Sequence, residues 1–213
     1  MVSLEDIRRE AELHLSEVAT GNPLDEATCA LIAFAVRISV TSLDVEDSAK
    51  FAAKAFAAGV TADQLHEAVI LVSGVGVHSL FEGTRLITRL AGGDNAVVLD
   101  KDRQQIWDAT VGKDKYWDGL EREVPGFLKN LLQVSKSGFD AFFRYCAVPW
   151  KSGHLSVLSK ELIAMAADAT PTHRYLPGMR LHLINAIRQG AGREAITQAL
   201  KIAAAAPGHS GVR

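Results

Sequence analysis

Only two cysteines, Cys29 and Cys146, stand among the 213 residues, which leaves little room for thiol chemistry. They are far apart, each beside apolar neighbours, with no Cys-x-x-Cys and no metal-ligand spacing. They read as buried, reduced thiols, although sequence alone does not decide whether they pair. No run of lysine and arginine occurs and the net charge is −2, which speaks against a nucleic-acid partner. The longest apolar stretches, near Ala30–Val36 and Val69–Val77, are too short to span a bilayer. The opening Met1-Val2-Ser3-Leu4-Glu5-Asp6 lacks the basic and apolar regions of a signal peptide, so a cytoplasmic location is expected. No phosphate loop or dinucleotide fingerprint is present, and strand signals are nearly absent.

What is present is a helical grammar. A hydrophobic content of 48% against 23% charged residues suits a chain that buries a sizeable core. Ser3-x-x-Asp6 resembles a capping box opening a helix towards Ala19, which Gly21-Asn22-Pro23 stops. Leu24, Leu31, Ile32, Ala35 and Ile38 recur at helical spacing through Ser39. After the turn Thr41-Ser42-Leu43-Asp44, a helix from Val45 to Ala58 ends at Gly59, the position of a left-handed cap. Thr61-x-x-Gln64 caps a further helix expected to reach Val77. Helices are also predicted over Asp100–Leu120, Phe127–Val148, Leu158–Ala169, Pro177–Gln189 and Arg193–Ala206. The fold class is all-α.

The pattern repeats. Setting Gly59 on Gly190, an offset of 131 residues, aligns Leu31-Ile32-Ala33 with Leu162-Ile163-Ala164 without a gap. The same offset pairs Thr41 with Thr172, Ala55 with Ala186, Ala68 with Ala199 and His78 with His209. Expected segments are an N-terminal repeat over 1–99, a helical connector over 100–150 and a C-terminal repeat over 151–213. The second copy carries Glu161, His173 and His182 where the first has Ala30, Ser42 and Phe51, so any reactive site belongs to the second.

Three stretches carry a family resemblance: Lys160-Glu161-Leu162-Ile163-Ala164-Met165-Ala166, the helix from Arg180 through His182 and Ala186 to Gly190, and Glu67 through Gly76-Val77-His78. Together they resemble the carboxymuconolactone decarboxylase family, which includes the alkylhydroperoxidase D proteins. The resemblance implies two copies of that family's helical unit packed as a pseudo-dimer. It also implies a homo-oligomer, a trimer by analogy with rings of single-repeat members. Peroxidatic members carry Cys-x-x-Cys-x-x-x-His, whose cysteine positions here are Tyr175 and Gly178 before His182, and Asp44 and Asp47 before Phe51. Thiol peroxidase chemistry therefore lacks its nucleophile.

The resemblance implies instead a cofactor-independent lyase or isomerase acting on a small carboxylated lactone or related acid, with no metal. A non-catalytic assembly or acid-binding role is the alternative. His182 matches the family histidine, and an imidazole suits proton transfer near neutrality; the competing role is a buried histidine bonded to a backbone carbonyl. Glu161 matches the family glutamate, or else supplies N-terminal helix charge. His173, in the loop between the two helices, either protonates a developing enolate or caps a helix. Arg180, Arg174 and Tyr175 are candidates for holding substrate, with Arg180 equally suited to a surface ion pair. Lys160 is expected to face solvent. His78 and His209 are expected to cap helix C-termini, and Trp107, Trp117 and Trp150 to pack in the core or an interface.

Overall fold

The structure, a computed structural model, describes residues 1–92, 98–112 and 114–212. Thirteen α-helices and no strand occur among them. The described chain divides into two compact units, Met1–Val75 with Val148–Arg213, and Gly76–Ala147. Packing therefore groups the residues differently from the segmentation at 99 and 150. The first unit holds the first copy as far as Val75 together with the second copy, while the second unit begins at Gly76.

In the first unit, α1 (Leu4–Leu15) opens on the expected capping box: Ser3 Oγ accepts from the Asp6 amide, and the Asp6 carboxylate accepts from the Ser3 amide at 2.9 Å. The helix stops at Leu15, short of Ala19. Next come α2 (Glu26–Ile38), α3 (Val45–Ala57) and α4 (Ala62–Ser73), capped by Asp25, Asp44 and Thr61. The fourth ends at Ser73 rather than Val77, because the 3-10 turn Gly74–Gly76 follows.

Further along the chain lie α5 (Val77–Gly92), α6 (Lys101–Thr110), α7 (Tyr116–Glu123), α8 (Phe127–Val134) and α9 (Lys136–Cys146). These five helices form the second unit. Two helices expected as single pieces are each divided. Asp100–Leu120 breaks after Thr110, and Phe127–Val148 breaks at Ser135. That serine, with φ −154° and ψ 96°, ends α8 and accepts from the Gly138 amide to start α9. An aromatic group of Phe81, Trp117, Phe127, Phe139, Phe142 and Phe143 forms the centre of this unit.

The first unit resumes with α10 (Val148–Lys151), α11 (Val157–Asp168), α12 (Leu176–Arg188) and α13 (Arg193–Ala204). At the 131-residue offset, α3 falls on α12 and α4 on α13, end for end. Leu43 and Arg174 hold matching positive φ angles of 43° and 50°, and Gly59 and Gly190 hold 87° and 92°. α2 and α11 pack together at the centre, each also against its own following helix and against the last helix of the other copy. Both central helices are buried on nearly all sides, with Ile32, Ala35, Val36, Ile163, Ala166 and Ala167 wholly enclosed. That burial matches their apolar stretches, Ala30–Val36 and Leu162–Ala167.

The two copies cap their fourth helix differently. Thr61 supplies a side chain to α4, whereas Gly192 cannot supply one to α13. Instead the Arg193 and Glu194 amides donate to the carbonyls of Ala19 and Thr20. The backbones approach so closely that a Cβ on Gly192 would fall 2.6 Å from the Gly21 Cα, which is why glycine stands at both positions.

Candidate active site

The polar site of the second copy is built by α11 and α12. Glu161 and Asp168 are seven residues apart on α11, two turns, and so share one face. Gly178 and His182 are four apart on α12 and share the facing side. The loop between these helices is held by the Tyr175 amide donating to the Asp168 carbonyl, and by the His173 and Arg174 amides donating to the Thr170 carbonyl.

The central contact joins His182 Nδ1 to Glu161 Oε2 at 2.7 Å. The Glu161 side chain is 4% exposed and that of His182 15%, so the pair is shielded but the ring keeps an edge to solvent. Burial opposes charge on His182, but the bond to Glu161 and the negative charges of Glu161 and Asp168 outweigh it. The imidazole pKa is consequently held above its ordinary value. With Nδ1 committed to a carboxylate, Nε2 is the nitrogen left for chemistry.

Asp168, only 2% exposed, differs from its first-copy counterpart Arg37, but its place in the site depends on α11 meeting α12. Its Oδ1 lies 3.5 Å from His173 Nε2, a charge contact rather than a hydrogen bond. Its Oδ2 lies over Gly178, where an added Cβ would fall 2.0 Å from it. The His173 and Tyr175 rings are 5.7 Å apart. The structure thus brings Glu161 to His182 and sets His173 and Tyr175 beside Asp168. Arg180 directs a guanidinium nitrogen to Glu10 of α1 at 3.6 Å, the ion-pair alternative left open by the sequence. Arg174 is half-buried and makes no ion pair among the described residues.

Three further residues come from outside the sequence candidates or correct them. Trp150, expected as packing, lies with its ring nearly parallel to His182, 9° between planes and 6.4 Å between centroids. Asn185, one turn beyond His182, has a buried Nδ2 with no hydrogen-bond partner among the described residues. Lys160 does not face solvent. It is 2% exposed and lies 2.7 Å from Glu67 Oε1, while donating to the Ser152 carbonyl at 2.8 Å. The α11 face carrying Lys160 meets α4, a tertiary contact that local pattern does not encode. Burial alone would raise the Glu67 pKa, but Lys160, the Ser152 hydroxyl and the Leu155 amide outweigh it and hold it below the ordinary carboxylate value.

His78 is the second residue of α5 and His209 lies past the end of α13, so neither caps a helix C-terminus as the sequence suggests. Both cysteines are free and only partly buried. Burial pushes the Cys146 thiol up to about 11, and burial with the nearby Asp25 charge raises Cys29. Both shifts oppose thiolate formation. A cavity of about 340 Å³ occurs in the second unit, lined by Trp107, Trp117, Asp114, Asp118 and Glu121, and contains none of the candidate residues.

In the first copy the same scaffold is closed. Arg37 stands where Asp168 does and Asp47 where Gly178 does. Arg37 Nε donates to Asp47 Oδ2 at 2.5 Å, and its guanidinium lies 4.0 Å over the ring of Phe51, the counterpart of His182.

Residues 138–213, which contain the whole polar site, match the model of the carboxymuconolactone decarboxylase family. The fold is similar to the crystal structure of a candidate gamma-carboxymuconolactone decarboxylase subunit from Burkholderia xenovorans LB400. The TM-score is 0.72 and the identity 29%, over 93% of this chain and 77% of that one. No curated protein matches the sequence. Over residues 138–213 the chain is thus similar to the carboxymuconolactone decarboxylase family, and over most of its length its fold is similar to that subunit's.

Proposed function

We propose that the protein is a cofactor-independent lyase or isomerase for a small carboxylated lactone or a related acid. The observation that carries this reading is the shielded Glu161–His182 pair, with Nδ1 held and the pKa raised. An imidazole fixed in this way works in both directions near neutrality: Nε2 takes a proton when neutral and gives one when charged. Next to a lactone carbonyl, loss of a proton or of CO2 leaves an electron pair on a carbon conjugated with that carbonyl. A proton then delivered to the conjugated carbon completes the reaction, with no oxidant or reductant required. Arg174, half-buried and without an ion pair among the described residues, is the cation best suited to hold the substrate carboxylate. The raised thiol pKa values disfavour the peroxidase alternative.

Thermal unfolding against a panel of small lactones and dicarboxylates, with γ-carboxymuconolactone among them, tests the assignment. A ligand at 100 times its dissociation constant stabilises the native state by about 2.7 kcal/mol, a shift of several degrees. The expected outcome is a shift in the wild type that His182→Ala loses, followed by turnover of the same compound. Turnover unchanged in His182→Ala would remove His182 from the chemistry, and no shift with any compound would favour a role in assembly.

A further inference from the structure

The duplicated scaffold permits a comparison that no single copy offers. The contact between residues 37 and 47 in the first copy recurs between residues 168 and 178 in the second, on matching helices. In the first copy it is an ion pair that ties α2 to α3 and stacks on Phe51. In the second that helix-to-helix pair is gone, because position 178 has no side chain. The carboxylate that remains, Asp168, is nearly wholly buried with one oxygen over the Gly178 backbone and the other beside His173. A buried carboxylate is costly unless nearby groups carry positive charge. An imidazole N–H lowers that cost: His173 lies in contact with Asp168, and His182 interacts with it electrostatically.

We infer that Asp168 is a positioning residue that makes His173 a second proton-transfer group, so that the site contains two carboxylate–imidazole pairs, Glu161–His182 and Asp168–His173. This inference rests on the lyase or isomerase reading and refines it. It names the substrate class as one whose reaction moves a proton between two carbons of a conjugated carbonyl system. His182 Nε2 takes a proton from the carbon next to the carbonyl, and the C–H electron pair moves into the enolate. The imidazolium of His173, its Nε2 turned to Asp168, gives a proton from Nδ1 to the far conjugated carbon as the enolate collapses. One histidine ends with a proton gained and the other with one lost, and exchange with solvent restores both. Where the bond broken is to CO2, its electron pair enters the same enolate and His173 supplies the proton that replaces the carboxyl group. Gly178 is the specificity-bearing position for this device, since any side chain there displaces the Asp168 carboxylate.

The test begins with the ligand-free protein labelled with ¹⁵N-histidine. Imidazole NMR on the wild type should find neutral His173 with its proton on Nε2, facing Asp168, and neutral His182 with its proton on Nδ1, facing Glu161. Asp168→Asn keeps the side-chain shape but removes the charge. It should shift the His173 resonances and lower the His182 pKa, whose charged neighbours are Glu161 and Asp168. With γ-carboxymuconolactone as the probe, Asp168→Asn and His173→Gln should each reduce kcat at least tenfold while preserving the thermal shift that reports binding, and His182→Gln should abolish conversion. A His173 proton on Nδ1 would overturn the inference without any variant having to fold. So would Asp168→Asn spectra in which both imidazoles are unchanged. A wild type that neither binds nor converts any acid overturns the proposed function instead, while the NMR spectra still decide the pairing.

Discussion

His182 shows how one residue can take two roles. Its ring lies where a core side chain would, yet its pKa is raised because two carboxylates outweigh burial. The raised value has a consequence for stability. A group whose pKa is higher in the folded than in the unfolded chain stabilises the fold fully at pH below its unfolded value, about 6.5 for histidine, and loses that contribution as pH rises through the folded value. The unfolding free energy of wild type minus that of His182→Gln should therefore be larger at pH 6 than at pH 9. Chemical denaturation at a series of pH values checks this, and a difference that is flat or grows with pH would show that Glu161 does not favour the imidazolium. Residues of this kind are half legible in sequence. Glu161, His173 and His182 stand out because the first copy lacks them. Asp168 and Gly178 differ between copies just as clearly, as Arg37 and Asp47, but their meaning depends on α11 meeting α12. Only the folded chain puts one oxygen of Asp168 over Gly178 and the other beside His173.

At the scale of elements, caps and apolar periods located most helices, since both signals are local. Ser3 and Thr61, the caps legible in the sequence, and Asp25 and Asp44, which the structure adds, each bond an amide three residues on. The breaks at Thr110 and Ser135 carry no proline and interrupt an otherwise helical pattern, so each pair of helices reads as one. The clamp between α4 and α11 is likewise invisible locally. Glu67 accepts from the Leu155 amide at 3.0 Å, and at the matching place in the other copy Gln198 accepts from the Leu24 amide at 2.8 Å. Lys160 has Cys29 as its counterpart, so one copy uses an ion pair where the other uses a neutral amide. Breaking a buried pair on one side leaves an uncompensated charge, and Lys160→Met should cost about 3–5 kcal/mol. Adding Glu67→Gln reproduces the neutral arrangement and should return stability to within about 1 kcal/mol of wild type. Urea unfolding of the two single variants and the double variant measures the coupling. Additive losses would show that Lys160 and Glu67 act independently.

For the whole molecule, the remaining proposal is assembly. The family resemblance implies a trimer of two-repeat chains, the equivalent of six helical units. Physical support comes from apolar side chains that the single chain leaves exposed. On α5, Leu86, Ile87 and Leu90 are 46%, 65% and 77% exposed, and on α3 Phe56 is 53% exposed. Single exposed apolar residues are ordinary, whereas several on adjoining turns of one helix are a feature of surfaces that meet a partner. Burial of such side chains contributes roughly 25 cal/mol per Å² of apolar surface, so a subunit contact centred on α5 would weaken when that surface is made polar. Sedimentation equilibrium at micromolar concentration should report a species about three times the chain mass of 22.9 kDa. Ile87→Glu with Leu90→Glu should shift the distribution towards the monomer while far-ultraviolet circular dichroism stays helical. A wild-type chain that sediments as a monomer would remove the trimer. A trimer that survives both glutamates would move the contact away from α5.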